Sequence, residues 1–158
     1  MTKKDKGPKV TTVTTKSGEQ LKVFEELDDF ERYLREEVED SKNVDNMHLQ
    51  LNYYPPFVLH HIHDDPDNIK DTDNSHNKKF VRHLHQHVEK HLLKDIKEAL
   101  QDPDLKFKDK SKDESFEGIV WHYAQDTQVK NKKFKVQVNV SCNHTDAMVA
   151  VDYQTMPL

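Results

Sequence analysis

The sequence predicts a single α+β domain, in which a mainly antiparallel sheet is packed by one long helix and one or two shorter helices. Segments that alternate apolar and polar residues, as half-buried strands do, lie near both ends and in the middle of the chain. Segments with apolar residues every three or four positions, as amphipathic helices have, lie between them. Because strands and helices are segregated along the chain, the pattern favours α+β over a wound parallel sheet.

The N-terminal region is predicted to form a flexible arm followed by a β-hairpin. Residues 1–8 are rich in lysine, which indicates a basic arm, so the domain is expected to span residues 9–158. Residues 10–15 are rich in Val and Thr, which favour strands, and residues 21–24 continue an extended pattern. Ser17-Gly18 marks a turn between these two segments and completes the hairpin signal.

A shorter helix and a central strand are predicted next. Residues 26–39 carry an apolar stripe whose opposite face is acidic, which indicates an amphipathic helix. Met47, Leu49 and Leu51 alternate with polar residues and predict a half-buried strand. The segment YYPPF at residues 53–57 has two prolines, which donate no backbone hydrogen bond, so it is expected to be irregular or at an edge. The apolar stripe of the helix consists of Leu27, Phe30, Leu34 and Val38.

The longest helix is predicted over residues 75–101. Ser75 can cap its start, and Pro103 lies just beyond its end. With a rise of ~1.5 Å per residue, such a helix is about 40 Å long and can cross the whole domain. The acidic residues 63–74 before it are predicted to form a loop, and their spacing does not fit a calcium-binding loop. The apolar positions of the helix are Phe80, Leu84, Val88, Leu92, Ile96 and Leu100.

The C-terminal third is predicted to form an antiparallel meander of three strands. Residues 102–113 are highly charged and are expected to be a linker. Ser111 and Glu114 have the spacing of a capping box, so a short helix is expected to begin there. Alternating valines then indicate a sheet with one polar face. The predicted strands cover residues 119–125, 134–142 and 148–153.

Composition excludes some classes of function. The three glycines, Gly7, Gly18 and Gly118, fit neither GxGxxG nor GxxxxGK, so a glycine-rich phosphate-binding loop is excluded. The net charge of −5 does not favour nucleic acid, whose binding depends on neutralising phosphates. The opening MTKKDKGPKV has no apolar segment, so no secretory leader is expected, and no stretch is apolar enough to span a membrane. We therefore expect a cytoplasmic protein.

Eleven histidines are the most unusual feature of the composition. His83, His87 and His91 are four residues apart, so their rings lie along one side of the long helix and are candidate metal ligands. A zinc site needs further ligands, which would come from the loop residues His60, His61 and His63 only if that loop folds over the helix. The simpler interpretation is that these rings lie at the boundary between the core and solvent. A third interpretation is that they sense pH.

The long helix also carries a basic side, which is the candidate interaction surface. It could bind an acidic protein, an anionic membrane surface or a nucleotide phosphate, or it could pair with the acidic helix of the same chain. Tyr53, Tyr54 and Phe57 form a candidate hydrophobic edge beside it, with burial in the core as the alternative. The basic positions are Lys78, Lys79, Arg82, Lys90, Lys94 and Lys97, of which Lys90, Lys94 and Lys97 are the chosen test positions.

No catalytic motif is recognisable, so the chain is predicted not to be an enzyme and to need no cofactor. The single cysteine, Cys142, precludes an internal disulfide. It lies near His144 in sequence, but nothing in the sequence fixes the two side chains on one face of a strand. A Cys–His dyad is therefore the less favoured interpretation.

Two sequence blocks are distinctive beyond their periodicity. They are LNYYPPFVLH at residues 51–60 and NSHNKKFVRHLHQHVEKHLLKDI at residues 74–96. With the opening MTKKDK, with DAMV at residues 146–149 and with VDY at residues 151–153, they make the chain similar, almost end to end, to the respiratory growth induced proteins of budding yeasts.

The resemblance implies a role in adjusting energy metabolism and in fitness during respiratory growth. It also implies a cytoplasmic protein, with peripheral contact at the plasma membrane as a further expectation. It implies no reaction and supplies no catalytic or ligand residues. Three hypotheses follow: a non-enzymatic regulator that binds a protein partner, a metal- or pH-responsive protein that uses the helical histidines, and, least favoured, an enzyme whose site has no recognisable motif.

Overall fold

A computed structural model of the chain describes residues 9–54, 82–102, 105–114, 118–143 and 148–158. Within these residues, seven strands form one sheet, and two helices pack on one of its faces. The elements are β1 (Thr11–Thr14), β2 (Gln20–Phe24), α1 (Leu27–Asp40), β3 (His48–Tyr53), α2 (82–99), β4 (Asp109–Glu114), β5 (Gly118–Val129), β6 (Lys132–Asn143) and β7 (Val149–Pro157).

The strand order is β1-β2-β3-β7-β6-β5-β4. Neighbouring strands are antiparallel except β2 and β3, which are parallel and are connected through α1. A parallel pair needs a crossover of this kind because a tight turn connects only antiparallel strands. The last strand, β7, therefore lies in the middle of the sheet, between β3 and β6.

The core lies between the helices and one face of the sheet. Along β3, Leu49, Leu51 and Tyr53 are buried while the residues between them are partly exposed, and the other central strands alternate in the same way. Phe30 of α1 packs its ring edge-on against Phe24, with ring centroids 5.8 Å apart. The opposite face of the sheet carries polar residues, as expected for a sheet with one face towards solvent.

The predicted fold class is confirmed, and so are the N-terminal hairpin, the shorter helix, the central strand and the three C-terminal strands. The short helix expected from the capping-box spacing of Ser111 and Glu114 is wrong, because these residues belong to β4. They pair in antiparallel register with β5, where Ser111 faces His122. A complete ladder of strand hydrogen bonds outweighs the weak local preference that a capping box expresses.

Three predicted features lie outside the described residues: the basic arm at residues 1–8, the acidic loop at 63–74 and the start of the long helix.

Lysines from the hairpin between β5 and β6 cap the C-terminus of α1. The helix has no basic residue in its last turn, and Ser41 adopts a left-handed conformation with φ 59° just after it. The ammonium of Lys130 donates to the carbonyl oxygen of Glu39 at 2.8 Å, and that of Lys132 donates to the carbonyl oxygen of Lys42 at 2.6 Å. These contacts satisfy carbonyls at and beyond the helix end and place positive charge at the negative end of the helix dipole.

Replacing Lys130 and Lys132 together with alanine is expected to lower the free energy of unfolding by about 1–2 kcal/mol, because two charge-assisted hydrogen bonds are lost at partly solvated sites. Urea denaturation followed by the fluorescence of the single tryptophan measures the change. Lys133→Ala is the matched control in the same hairpin. An effect of Lys133→Ala as large as that of the double variant would contradict the capping role.

Candidate functional site

The helix α2 contains a π-turn at the centre of the candidate surface. Its apolar residues recur every four positions, which is longer than the 3.6-residue repeat, so on a regular helix the apolar stripe would rotate by about 40° at each step. Between Val88 and Leu92 the backbone widens into a π-turn, in which the N–H of Leu93 donates to the carbonyl oxygen of Val88. The wider turn restores the register and keeps the whole stripe buried. The stripe consists of Leu84, Val88, Leu92, Ile96 and Leu100.

The same geometry places the basic residues on the outer side of α2. Lys90 and Lys94 are exposed, and Lys97 is half-buried. In the part of the chain that the structure describes, no carboxylate lies within salt-bridge distance of the ammonium group of any of the three.

The contacts between the two helices do not support the alternative that the acidic helix α1 neutralises the basic side of α2. The ion pair across the two helices has the opposite polarity: Arg35 of α1 lies 3.9 Å from the carboxylate of Glu98 on α2. Arg35 also pairs within α1 with Glu31 at 2.5 Å. Among the described residues, the carboxylates of α1 leave the three lysines of α2 unpaired.

Two carboxyl groups meet at the packed side of this helix pair, which sequence reasoning missed. Burial, followed by the nearby charge of Asp95, raises the pKa of Glu31. Burial, followed by the charge of Glu98, also raises the pKa of Asp95. The hydrogen bond between the two groups favours the protonated form of Glu31. No local spacing predicts this pair, because the two residues come from different helices.

The predicted histidine stripe is present, with rings at different depths. His91 is exposed, whereas His83 and His87 are half-buried, and the ring centroid of His87 lies 5.5 Å from that of His91. The hydroxyl of Tyr53 lies 2.6 Å from Nε2 of His87. Burial raises the pKa of Tyr53, so its O–H remains protonated and donates to a neutral ring.

Burial and the neighbouring charge of His91 lower the pKa of His87 to about 4. The ring of His87 is therefore neutral between pH 5 and pH 8, which argues against this residue as a sensor of physiological pH. Within the described residues, no group of three His, Cys, Asp or Glu side chains is placed to hold a metal ion. The loop residues proposed to complete such a site, His60, His61 and His63, lie outside the described residues.

The structure separates the aromatic residues of the candidate hydrophobic edge. Tyr53 lies in the core, with 9% of its surface exposed, and contacts α2 through His87. Tyr54, one position further, is 46% exposed. Phe57 lies outside the described residues. Of the three, Tyr54 is the one that the structure places at the surface.

Two further histidines lie on the polar face of the sheet and were not singled out from the sequence. His48 contacts Glu19 through Nδ1 at 2.8 Å and Asp152 through Nε2 at 2.7 Å. His122 contacts Asn139 through Nδ1 at 2.7 Å and a β4 carboxylate, Asp113, through Nε2 at 2.9 Å. The alternation of β3 predicted that His48 lies on the polar face, but the partners of both rings come from distant positions in the chain.

The pKa of His122 is raised, first by the hydrogen bond to Asn139 and then by Asp113, although partial burial acts in the opposite direction. The two contacts of this ring link the edge strand β4 to β6 across β5. The other residue considered for chemistry, Cys142, is buried in β6 between Ile119 and Val149 of the neighbouring strands.

The described part of the chain contains no helix long and apolar enough to cross a membrane.

These features define a class: an α+β protein whose helices cover one sheet face and carry a basic surface that lacks carboxylate partners among the described residues. A family model described as Respiratory growth induced protein 1 matches residues 8–157. The chain belongs to the respiratory growth induced protein family, as the sequence blocks around the central strand and the long helix predicted.

Individual relatives agree with this assignment. A Respiratory growth induced protein 1 of Candida glabrata is 68% identical over 158 residues, which cover 100% of both chains. A Respiratory growth induced protein 2 of Saccharomyces cerevisiae is 66% identical over 161 residues, which cover 100% of this chain and 98% of the relative. The crystal structure of YER067W superposes with a TM-score of 0.75 at 57% identity, covering 86% of this chain and 92% of that one.

Proposed function

We propose that this protein is a non-enzymatic regulator of energy metabolism during respiratory growth, and that it acts in the cytoplasm by binding an acidic surface of a partner protein. The observation that carries the proposal is the set of Lys90, Lys94 and Lys97, which lie on the outer side of α2 without a carboxylate partner in the described residues. The link to respiration rests on the names of the relatives, which describe them as induced during respiratory growth.

The arrangement of the three lysines supports binding to a protein rather than general solvation. They lie within eight consecutive residues of one helix, so their backbone positions span only about 11 Å along its axis. The π-turn and the buried stripe beneath them fix the helix against the sheet. A compact and rigid array of like charges attracts an oppositely charged surface and accelerates association, and salt weakens this effect.

The test is a charge reversal of this surface. The triple variant Lys90→Glu, Lys94→Glu, Lys97→Glu is expected to reduce capture of the partner from respiring cells by at least about tenfold, because close charge pairs across an interface become repulsive. Capture is measured by quantitative mass spectrometry of what co-purifies with the tagged chain. Binding of the identified partner by the purified wild-type protein should weaken as salt concentration rises.

The matched control reverses three other exposed lysines, Lys106, Lys108 and Lys133, so that the total charge changes by the same amount. This control is expected to retain the partner. Undiminished capture by the α2 variant at an unchanged melting temperature would rule out the proposed surface. Loss of sedimentation with phosphatidylserine vesicles, without loss of a protein partner, would instead assign the basic surface to peripheral membrane contact.

A further inference from the structure

The two edges of the sheet differ in how they are protected against pairing with another chain. At one edge, β4 carries five charged residues among its six positions, which is a common protection against edge-to-edge association. At the other edge, β1 has the sequence TTVT and carries no charge. All four β1 residues are exposed, and no strand of the described residues covers their outer side.

The outer side of β1 presents backbone groups that can pair with an added strand. The N–H of Thr15 donates to the carbonyl oxygen of Glu19 at 2.8 Å, so this pair is of the hydrogen-bonded type. Hydrogen-bonded and non-hydrogen-bonded pairs alternate in an antiparallel ladder. In the register of β1 and β2, the N–H and C=O groups of Thr12 and Thr14 therefore point away from β2.

The side chains around this edge specify what an added strand would contain. Val10 and Val13 are 38% and 43% exposed, and they offer apolar contacts on opposite faces of the edge. A cleft of about 620 Å³ lies beside the start of β1, with Glu25, Glu26 and Asp29 among its lining residues. Among the described residues, one basic residue, Lys9, also lines the cleft. The cleft is therefore complementary to a basic side chain.

We propose that the β1 edge binds an extended segment of a partner polypeptide as an additional strand. The segment would be rich in β-branched residues, which pack on Val10 and Val13. It would also carry a lysine or arginine that reaches Glu25 and Glu26. Main-chain hydrogen bonds to Thr12 and Thr14 supply affinity in this mode of recognition, and the side-chain contacts supply specificity.

The geometry disfavours a second copy of this chain as the occupant. Central antiparallel pairing of two β1 strands would involve only four residues from each chain, too few for the ~1,000 Å² that a stable interface needs.

The probe is a fluorescein-labelled peptide, Lys-Val-Thr-Val-Thr-Lys. Because it has a lysine at each end, it can place a basic side chain at the acidic cleft in either strand direction. Its anisotropy is measured against the full-length chain, and the matching peptide Glu-Val-Thr-Val-Thr-Glu is the comparison. We expect the lysine peptide to bind at least about tenfold more tightly, because its charges complement the acidic cleft. Equal binding of the two peptides to the wild-type protein, or no binding of either, would overturn the proposal.

The backbone is tested with Thr14→Pro, which removes an N–H that points away from β2 and is therefore tolerated at an edge. Thr14→Ala keeps that N–H and is the control. We expect the proline variant to bind the lysine peptide at least about tenfold more weakly and the alanine variant to bind it normally. Equal affinity of the proline and alanine variants would contradict strand addition.

A charge swap keeps the test decisive if the proline variant unfolds. In Glu25→Lys, Glu26→Lys the preference is expected to shift from the lysine peptide to the glutamate peptide, and an unchanged preference would contradict the assignment. The α2 triple variant should bind the lysine peptide as the wild type does, which separates this site from the proposed basic surface. A concentration-dependent dimer abolished by Thr14→Pro would assign the edge to a second copy and overturn the peptide proposal.

Discussion

Replacing Phe30 with alanine is expected to lower the free energy of unfolding by about 3–5 kcal/mol, because the change leaves a cavity where a large ring was fully buried. Phe30 connects α1 to two distant parts of the sheet. Its ring meets Phe24 of β2 edge-on and also meets Tyr153 of β7 edge-on, with centroids 6.1 Å apart in the second pair. These strands enclose β3, so the cavity would open beneath the centre of the sheet.

Urea denaturation followed by tryptophan fluorescence measures this loss, since Trp121 is the single tryptophan and is 4% exposed. Arg32→Ala is the control on the exposed side of the same helix, and its effect is expected to stay within about 0.5 kcal/mol. A loss below about 1 kcal/mol in Phe30→Ala would show that the surrounding side chains collapse into the space, contrary to the close packing of a native core.

The second large effect is a pH dependence of stability caused by His87. Its folded-state pKa is lowered from 6.5 to about 4, so the unfolded chain binds a proton more readily than the folded chain. The stability that the neutral ring provides is complete above pH 6.5 and is lost as the pH falls from 6.5 towards 4. After allowance for solvent screening of a half-buried ring, the loss is about 1–2 kcal/mol.

His87→Gln provides the measurement, because glutamine retains a hydrogen-bonding group for Tyr53 but does not titrate. Urea denaturation at a series of pH values from 7 to 4.5 should show a smaller loss of stability on acidification in the variant. The raised pKa values of Glu31 and Asp95 act in the opposite direction, since their stabilising contribution is lost as pH rises. Both proteins contain that pair, so it cancels in the difference. Identical pH profiles would contradict the role of His87.

Local patterns were sufficient for most elements because each depends on a repeat that the chain itself contains. The alternation of Leu49 and Leu51 predicted β3, and the stripe through Phe30 and Leu34 predicted α1. The four-residue spacing of apolar positions in α2 was also visible in the sequence. That spacing is longer than the 3.6-residue helical repeat, and the π-turn between Val88 and Leu92 accommodates the difference.

Local patterns failed where a partner from elsewhere in the chain decides the outcome. Ser111 and Glu114 have a spacing that favours a helix start, but pairing with β5 makes the segment a strand. The alternation of β3 extends to Tyr53, but the hydrogen bond of its hydroxyl with His87 joins two segments that no local pattern connects. The capping of α1 by Lys130 and Lys132 joins residues about ninety positions apart, which no local pattern reports.

The sequence by itself determined the fold class, the helices and strands with strong periodicity, the basic side of the long helix and the family. These properties depend on residue type and repeat, which are intrinsic to the chain. Only the tertiary structure decided that β2 and β3 are parallel, that β1 and β4 are the two edges, and that Lys90, Lys94 and Lys97 lack a carboxylate partner among the described residues. Strand order, edge exposure and charge pairing depend on which distant segments meet, and burial of the common apolar core selects that arrangement.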